Sequence, residues 1–183
     1  ESQETMEHFR SLGRSAFVIG YTGAVGKALV QELNKAKVFK KVVLIGRRNV
    51  SLDVGPEFEQ KVMDFEKLDE HKDVFKDLDT GFCCLGTYRA RDGLGEAEDG
   101  LSKMNLERVS IFKPAFLVCK RNERRIAEAI VKVVLTPMIY FFPTVMSVPV
   151  ETVARAMVNN AVNLSNPSPV EIYENKQIHK LAH

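Results

Sequence analysis

The stretch that decides the fold runs from Val18 to Lys27 and reads VIGYTGAVGK. It places glycines at three-residue spacing, at Gly20, Gly23 and Gly26. An apolar run precedes the glycines and apolar residues at helical spacing follow them, so the pattern predicts a strand, a glycine turn and a helix in that order. A turn of this kind is typical of a phosphate-binding site. The alternative interpretation is an ordinary strand-to-helix turn.

Each glycine has a predicted task in that turn. Gly20 permits the tight bend, Gly23 lets a pyrophosphate approach the backbone, and Gly26 lets the helix pack closely against the sheet. The free amides and the positive end of the helix favour phosphate. The sequence therefore predicts a cradle for a nucleotide formed by Gly20, Tyr21, Thr22, Gly23, Ala24, Val25 and Gly26.

Strands and helices continue to alternate on both sides of this turn. The predicted elements are a helix or tail at 1–14, strands at 15–19, 42–45, 60–63, 81–85, 109–112 and 170–173, and helices at 24–36, 66–77, 122–134, 150–162 and the carboxyl terminus. This alternation predicts an α/β fold, a Rossmann-like doubly wound parallel sheet with helices on both faces. The glycine-rich stretch 86–100 interrupts it and is predicted to be a loop, so the sheet is shortened between the fourth strand and the later strands.

Composition limits the classes of protein that this chain can represent. Its 183 residues, 45% of them hydrophobic, predict a single domain over 1–183. The net charge of +2 comes from dispersed basic and acidic residues, which argues against direct nucleic-acid binding. The most apolar window, 126–146, contains charges and prolines and predicts no membrane span. Histidines and cysteines lack ligand spacing, which predicts no metal site, and the three cysteines predict buried thiols in a reducing compartment.

Two arginines, Arg47 and Arg48, end the second predicted strand. In dinucleotide folds this position meets the adenosine ribose, where a carboxylate selects NAD and an arginine accommodates a 2′-phosphate. Because guanidinium groups make bidentate, charge-assisted contacts with phosphate, the sequence favours NADPH as the cofactor. The alternative is a turn with two solvated arginines.

Further candidates follow the third and fourth predicted strands. Asp64 and Phe65 stand where a carboxylate can accept from the adenine amino group and apolar atoms can flank the ring. Gly86 ends the fourth strand, where it would let a cofactor pass close to the backbone. Taken in chain order with the glycines and arginines, these positions favour nucleotide binding.

Several segments together resemble the Tat-interacting protein 2 family of atypical short-chain dehydrogenase/reductase-like proteins. They read FVIGYTGAVGKALVQEL, VVLIGRR, VMDFEKLDEH, GFCCLGTYR, SVPVETVARAMVNNAV and ENKQIHKL, and the resemblance covers nearly the whole chain. It implies an NADPH-binding Rossmann fold with growth suppression, promotion of apoptosis and inhibition of nuclear import through an importin β. It also implies a cytoplasmic location with a presence at the nuclear envelope or in the nucleus.

The resemblance carries the cofactor positions onto this chain residue by residue. It implies Gly20, Gly23, Gly26, Arg47, Arg48, Asp64, Leu85, Gly86 and Thr87. Pro114 is added because Pro114-Ala115 stands where the family has Pro-Gly near the nicotinamide. The part from 113 to 183 is expected to face substrate or partners.

The catalytic motif of short-chain dehydrogenases is absent from the sequence. These enzymes use a tyrosine with a lysine four residues later, whereas none of the four tyrosines here has a lysine at that spacing. The stretch between Thr87 and Val109 is too short for the family's next strand and catalytic helix, so a core segment is predicted to be missing. No catalytic residue is therefore assigned, and impaired or absent catalysis is expected in this form.

Three functions stay open at this point. The favoured one is an NADPH-binding regulatory protein with little or no turnover. The second is an active NADPH-dependent oxidoreductase whose catalytic segment is missing from this sequence. The third is a protein-interaction module that binds no cofactor. The sequence predicts neither a substrate nor an oligomeric state.

Overall fold

A computed structural model describes residues 2–63, 73–84, 109–113, 117–118, 148–165 and 170–183. The chain divides into two compact units. One comprises Glu1–Ala90 and Val158–Asn166, and the other comprises Arg91–Met157 and Pro167–His183.

The first unit contains a parallel sheet and two helices that precede its second strand. Its elements are α1 (Ser2–Ser11), β1 (Ser15–Ile19), α2 (Ala24–Ala36), β2 (Lys41–Gly46), β3 (Phe58–Val62) and β4 (Thr80–Cys83). The four strands lie in the order β3-β2-β1-β4, and all three pairings are parallel. This arrangement confirms the predicted α/β fold and the bounds predicted for β1 and α2.

The two inner strands form the centre of the core. Val18 on β1 pairs in register with Leu44 on β2 and with Phe82 on β4. Val18 and Leu44 are fully buried, and β2 is buried continuously from Val42 to Gly46. Such an unbroken buried run is expected of a strand that is covered on both faces of a parallel sheet. The carboxyl ends of β1, β2 and β4 thus lie along one edge, where the glycine turn begins.

Helix α1 packs on the core through an aromatic side chain. Phe9 is fully buried and meets Phe39 edge to face, with ring centroids 5.3 Å apart. The guanidinium of Arg10 donates to the carbonyl oxygens of Ala36 at 2.7 Å and Lys37 at 3.2 Å, at the end of α2. The stretch predicted as a helix or tail is therefore a helix that caps the carboxyl end of α2.

The second unit contains two short parallel pairs of strands. Strand β5 (Val109–Lys113) pairs with β8 (Val170–Glu174), and β6 (Leu117–Val118) pairs with β7 (Val148–Pro149). Helix α3 spans Val150–Val162; its residues up to Met157 belong to the second unit and the remainder to the first. Helix α4 spans Asn175–Leu181 and begins with a capping box between Glu174 and Gln177. None of the helices described in the chain has the length and apolar character needed to cross a membrane.

Some predicted elements differ from the structure. Strand β3 begins at Phe58, whereas the sequence predicts its start at Gln60. The prediction missed the first residues because polar residues such as the exposed Glu59 interrupt the hydrophobic pattern of the strand. Strand β7 was not predicted, and of the helix predicted at 66–77 the structure describes a 3₁₀ turn at 73–75. The predicted loop at 86–100 and the predicted helix at 122–134 lie outside the described residues.

Candidate nucleotide-binding site

The turn between β1 and α2 opens the helix without a side-chain cap. Gly20 has a φ of 77°, in the left-handed region that glycine adopts without strain, which confirms its predicted role in the bend. Its carbonyl accepts from the N–H of Gly23 at 3.1 Å. Gly23 is the N-cap of α2 and offers no side chain, and no acidic residue lies in the first helical turn. The amides at this helix start can therefore be used by an anion.

Gly26 and Gly23 are glycines for different reasons. A Cβ on Gly26 would lie 2.6 Å from the Cα of Tyr21 and 2.9 Å from the carbonyl carbon of Gly20, so α2 packs directly on the turn. A Cβ on Gly23 would lie 3.4 Å from the oxygen of Gly20 and 4.0 Å from that of Cys84, which are ordinary contacts. Packing within the described chain thus explains Gly26 and leaves Gly23 free for close approach of a ligand.

The buried side chain of Tyr21 connects the glycine turn to the end of β2. Its side chain is 1% exposed and lies against Gly46, where a Cβ would come within 2.7 Å of its ring. Its hydroxyl lies 2.9 Å from both the carbonyl oxygen of Arg48 and Oε1 of Gln60. Burial raises the pKa of Tyr21, while the positive charge of Arg48 acts in the opposite direction. The ring is therefore unavailable to a ligand, and the predicted binding role of Tyr21 is limited to its backbone.

Gln60 on β3 holds the segment that follows β2. Its Oε1 accepts from the N–H of Val50 at 2.9 Å, and its Nε2 donates to the carbonyl of Val50 at 2.8 Å. These two bonds fix the orientation of the amide, because one needs an acceptor and the other a donor. Sequence reasoning missed this residue, since the pair lies ten positions apart and Tyr21 lies 39 positions from Gln60.

Arg47 and Arg48 lie at a pocket of about 380 Å³ that they line together with Thr22. All three residues are exposed. Neither Arg47 nor Arg48 takes part in an ion pair with a carboxylate of the described residues. Two guanidinium groups without such a partner and a hydroxyl beside an uncapped helix start form a site suited to an anionic group.

The chain is 30% identical to Protein HTATIP2 of Rattus norvegicus over 220 residues, an alignment that covers 94% of this chain and 90% of the relative. The chain belongs to the HTATIP2 family. This is the Tat-interacting protein 2 family expected from the sequence, a group of short-chain dehydrogenase/reductase-like proteins. The aligned 220 residues exceed the 183 of this chain, so part of the relative has no counterpart here, in agreement with the predicted shortening. A comparison with models of protein families found no match.

Solved structures agree with this membership in fold. A Rossmann-fold NAD(P)-binding family protein from Shigella flexneri superposes with a TM-score of 0.57 at 14% identity, covering 83% of this chain and 87% of that one. A glucuronic acid dehydrogenase from Chromohalobacter salexigens gives 0.54 at 13% identity, with 88% and 76% covered. A UDP-N-acetylglucosamine 4-epimerase from Bacillus cereus gives 0.53 at 11% identity, with 88% and 77% covered. At these identities the likeness establishes the Rossmann fold.

In this HTATIP2-family chain, the end of β4 also reaches the glycine turn. The N–H of Cys84 donates to the carbonyl of Ile19 at 2.8 Å, and burial, assisted by the neighbouring Cys83, raises the pKa of the Cys84 thiol to about 12. Cys83 is exposed, so the prediction of buried thiols is wrong for this residue. Successive side chains of an extended segment point to opposite faces, in accord with an exposed Cys83 next to a half-buried Cys84.

The structure brings together one group of the predicted site residues of this HTATIP2-family chain. Gly20, Thr22, Gly23, Arg47 and Arg48 surround the start of α2, and Ala24 and Val25 form its first turn. The remaining candidates lie outside the described residues, and their roles stay predictions. They are Asp64, Phe65, Leu85, Gly86, Thr87 and Pro114.

Proposed function

We propose that this chain is an NADPH-binding regulatory protein of the short-chain dehydrogenase/reductase type with little or no turnover. The observation that carries the proposal is the position of Arg47 and Arg48, which have no carboxylate partner among the described residues, at a pocket beside the uncapped start of α2. A carboxylate at this position would select NAD, whereas guanidinium groups bind the 2′-phosphate that distinguishes NADPH.

The described residues fit the phosphate-bearing half of NADPH. The amides of the first turn of α2 would bind the pyrophosphate, and Gly23 has the space for its approach. Arg47, Arg48 and Thr22 would bind the 2′-phosphate. When bound, NADPH supplies a hydride to an acceptor. The sequence offers no tyrosine followed four residues later by a lysine, which supports a role for the cofactor in stabilising the protein and not in turnover.

The regulatory part of the proposal rests on membership of the HTATIP2 family. We propose that the chain suppresses growth, promotes apoptosis and restrains nuclear import by binding an importin β in the cytoplasm or at the nuclear envelope. Calorimetric titration of purified importin β into the chain, with and without NADPH, tests this part. Saturable binding would support it, and an absence of heat at micromolar concentrations of both proteins would overturn it.

The cofactor part is tested by thermal unfolding with NADPH and with NADH. A ligand that binds only the folded state stabilises it by about 2.7 kcal/mol at one hundred times its Kd. We expect NADPH to raise the melting temperature more than NADH, and Arg47→Ala with Arg48→Ala to remove the difference. Lys40→Ala is the matched control, because Lys40 is an exposed basic residue next to the opposite end of β2. Equal shifts with both dinucleotides, or no shift with either, would contradict the proposal.

A further inference from the structure

Gln60 does not line the pocket of Arg47 and Arg48, yet its amide makes contacts on two sides of the segment that carries them. One side is Val50, whose N–H and carbonyl bond the Gln60 amide at 2.9 and 2.8 Å. The other is the hydroxyl of Tyr21, 2.9 Å from Gln60 Oε1. Gln60 thereby connects β3, the glycine turn and the end of the arginine segment.

The arginine segment, residues 46–50, is held at both ends and near its middle. At one end, the carbonyl of Gly46 accepts from the N–H of Met63 at 2.9 Å, and Gly46 contacts the ring of Tyr21. At the other end, Val50 is hydrogen-bonded to the amide of Gln60. Between them, the Tyr21 hydroxyl lies 2.9 Å from the carbonyl oxygen of Arg48 and 2.9 Å from Oε1 of Gln60, two acceptors that share its single proton. The backbone of the segment is thus fixed, although both arginine side chains are exposed.

Fixing this backbone matters for the binding of a phosphate. A segment that had to order itself on binding would lose affinity to that ordering, whereas a segment already held in place avoids the loss. We expect the effect to act on the groups that the segment carries, because the hydrogen bonds described for Val50 are to Gln60 and not to Gly23, the N-cap of α2.

We propose that Gln60 and Tyr21 are positioning residues that set the preference for a 2′-phosphorylated dinucleotide by holding Arg47 and Arg48 at the Thr22 pocket. This inference rests on the proposed NADPH function and adds the residues that produce its selectivity. Neither side chain touches the phosphate: Tyr21 is buried, and Gln60 bonds only the backbone of Val50 and the Tyr21 hydroxyl among the contacts described.

The measurement is the ratio of the Kd for NADH to the Kd for NADPH, obtained by titration of the full chain. Gln60→Met keeps the length of the side chain and removes its hydrogen bonds, and Tyr21→Phe keeps the ring against Gly46 and removes the hydroxyl. We expect each substitution to lower the ratio by about three- to tenfold while the Kd for NADH stays within about twofold of the parent value. Glu59→Gln is the control, because Glu59 is an exposed neighbour on β3.

A double-mutant cycle separates the positioning of the arginines from a general destabilisation of the fold. In a chain that carries Arg47→Ala and Arg48→Ala, the 2′-phosphate contact is already removed, so Gln60→Met should leave the ratio unchanged. A structural defect alone would weaken NADH and NADPH binding together. Chemical unfolding of every variant establishes that it folds, and Tyr21→Phe serves as the second route if Gln60→Met does not.

The outcomes distinguish this inference from the proposed function. A parental ratio of one would overturn the NADPH preference and the inference with it. A parental preference for NADPH that is lost with the two arginines but survives both Gln60→Met and Tyr21→Phe would overturn the inference alone. The inference would also be overturned if Gln60→Met lowered the ratio by the same factor in the Arg47→Ala, Arg48→Ala chain as in the parent.

Discussion

At the scale of single residues, Gly26 and Gly23 have different space around their Cα atoms. Gly26→Ala would force a methyl group against the backbone of Tyr21 and Gly20, and we expect it to reduce the free energy of unfolding by about 2 to 3 kcal/mol. Gly23→Ala meets ordinary contacts and should cost up to about 1 kcal/mol through the weaker N-cap. Urea unfolding of the two variants measures the difference, and equal losses would contradict this account.

For ligand binding, in contrast to stability, we expect a large effect of substituting Gly23. Gly23→Ala places a methyl group where the pyrophosphate is proposed to approach, so it should weaken NADPH binding by about tenfold or more in a chain that still folds. Titration of the folded variant with NADPH tests this. An unchanged Kd would place the pyrophosphate elsewhere.

The half-buried thiol of Cys84 gives stability a defined pH dependence. Burial raises its pKa from 9.0 to about 12, so between these values the unfolded chain loses a proton that the folded chain retains. The free energy of unfolding should therefore fall as pH rises above about 9, by up to about 1.4 kcal/mol per pH unit. Urea unfolding at pH 8 to 10.5 should show this fall in the parent and in Cys83→Ala, and a smaller fall in Cys84→Ala. An equal fall in Cys84→Ala would assign the effect to other groups.

Tyr21 illustrates which parts of the site the sequence could predict. Its position between Gly20 and Gly23 is readable from the spacing, and so is the presence of Arg47 and Arg48 after the next strand. The burial of its ring is not readable, because it depends on contact with Gly46 and on a hydrogen bond to Gln60 that join distant parts of the chain.

At the scale of elements, Phe9 is the buried residue through which α1 packs on the first unit, in addition to the hydrogen bonds of Arg10. Phe9→Ala removes a fully buried ring that packs against Phe39 and lies under the guanidinium of Arg14, so the free energy of unfolding should fall by about 3 to 5 kcal/mol. Leu12→Ala is the control from the same region, because Leu12 is 43% exposed and should cost less than about 1 kcal/mol. If urea unfolding showed the same loss of free energy for Phe9→Ala and Leu12→Ala, contacts other than the Phe9 ring would hold α1 in place.

The elements that sequence predicted best are those with one dominant pattern. Strand β1 is a short apolar run and α2 has a helical period that begins after glycine, so their bounds could be read directly. Strand β3 mixes Glu59, Gln60 and Lys61 with apolar residues, and β7 has only two residues. Their assignment depends on pairing with β2 and β6, which is a long-range property that no local pattern contains.

At the scale of the whole molecule, the shortening leaves the glycine turn and the four-stranded sheet of the first unit in place. The sheet order β3-β2-β1-β4 and the glycine turn precede 88–108, the stretch where the sequence predicts the missing segment. The resemblance predicts that the catalytic tyrosine and lysine of such enzymes belong to that segment. We therefore propose that this chain has lost turnover and retained cofactor binding.

The charge of the molecule leads to a last prediction about salt. The chain carries 26 basic and 24 acidic residues, so its net field is weak, and we expect any salt dependence of NADPH selectivity to arise locally, at Arg47 and Arg48. Between about 0.01 M and 1 M ionic strength the Debye length falls from about 30 Å to about 3 Å, which screens these exposed groups. The ratio of the Kd for NADH to that for NADPH should fall with added salt in the parent. In the Arg47→Ala, Arg48→Ala chain it should be low and independent of salt, and a salt dependence that persists there would place the 2′-phosphate at other cations.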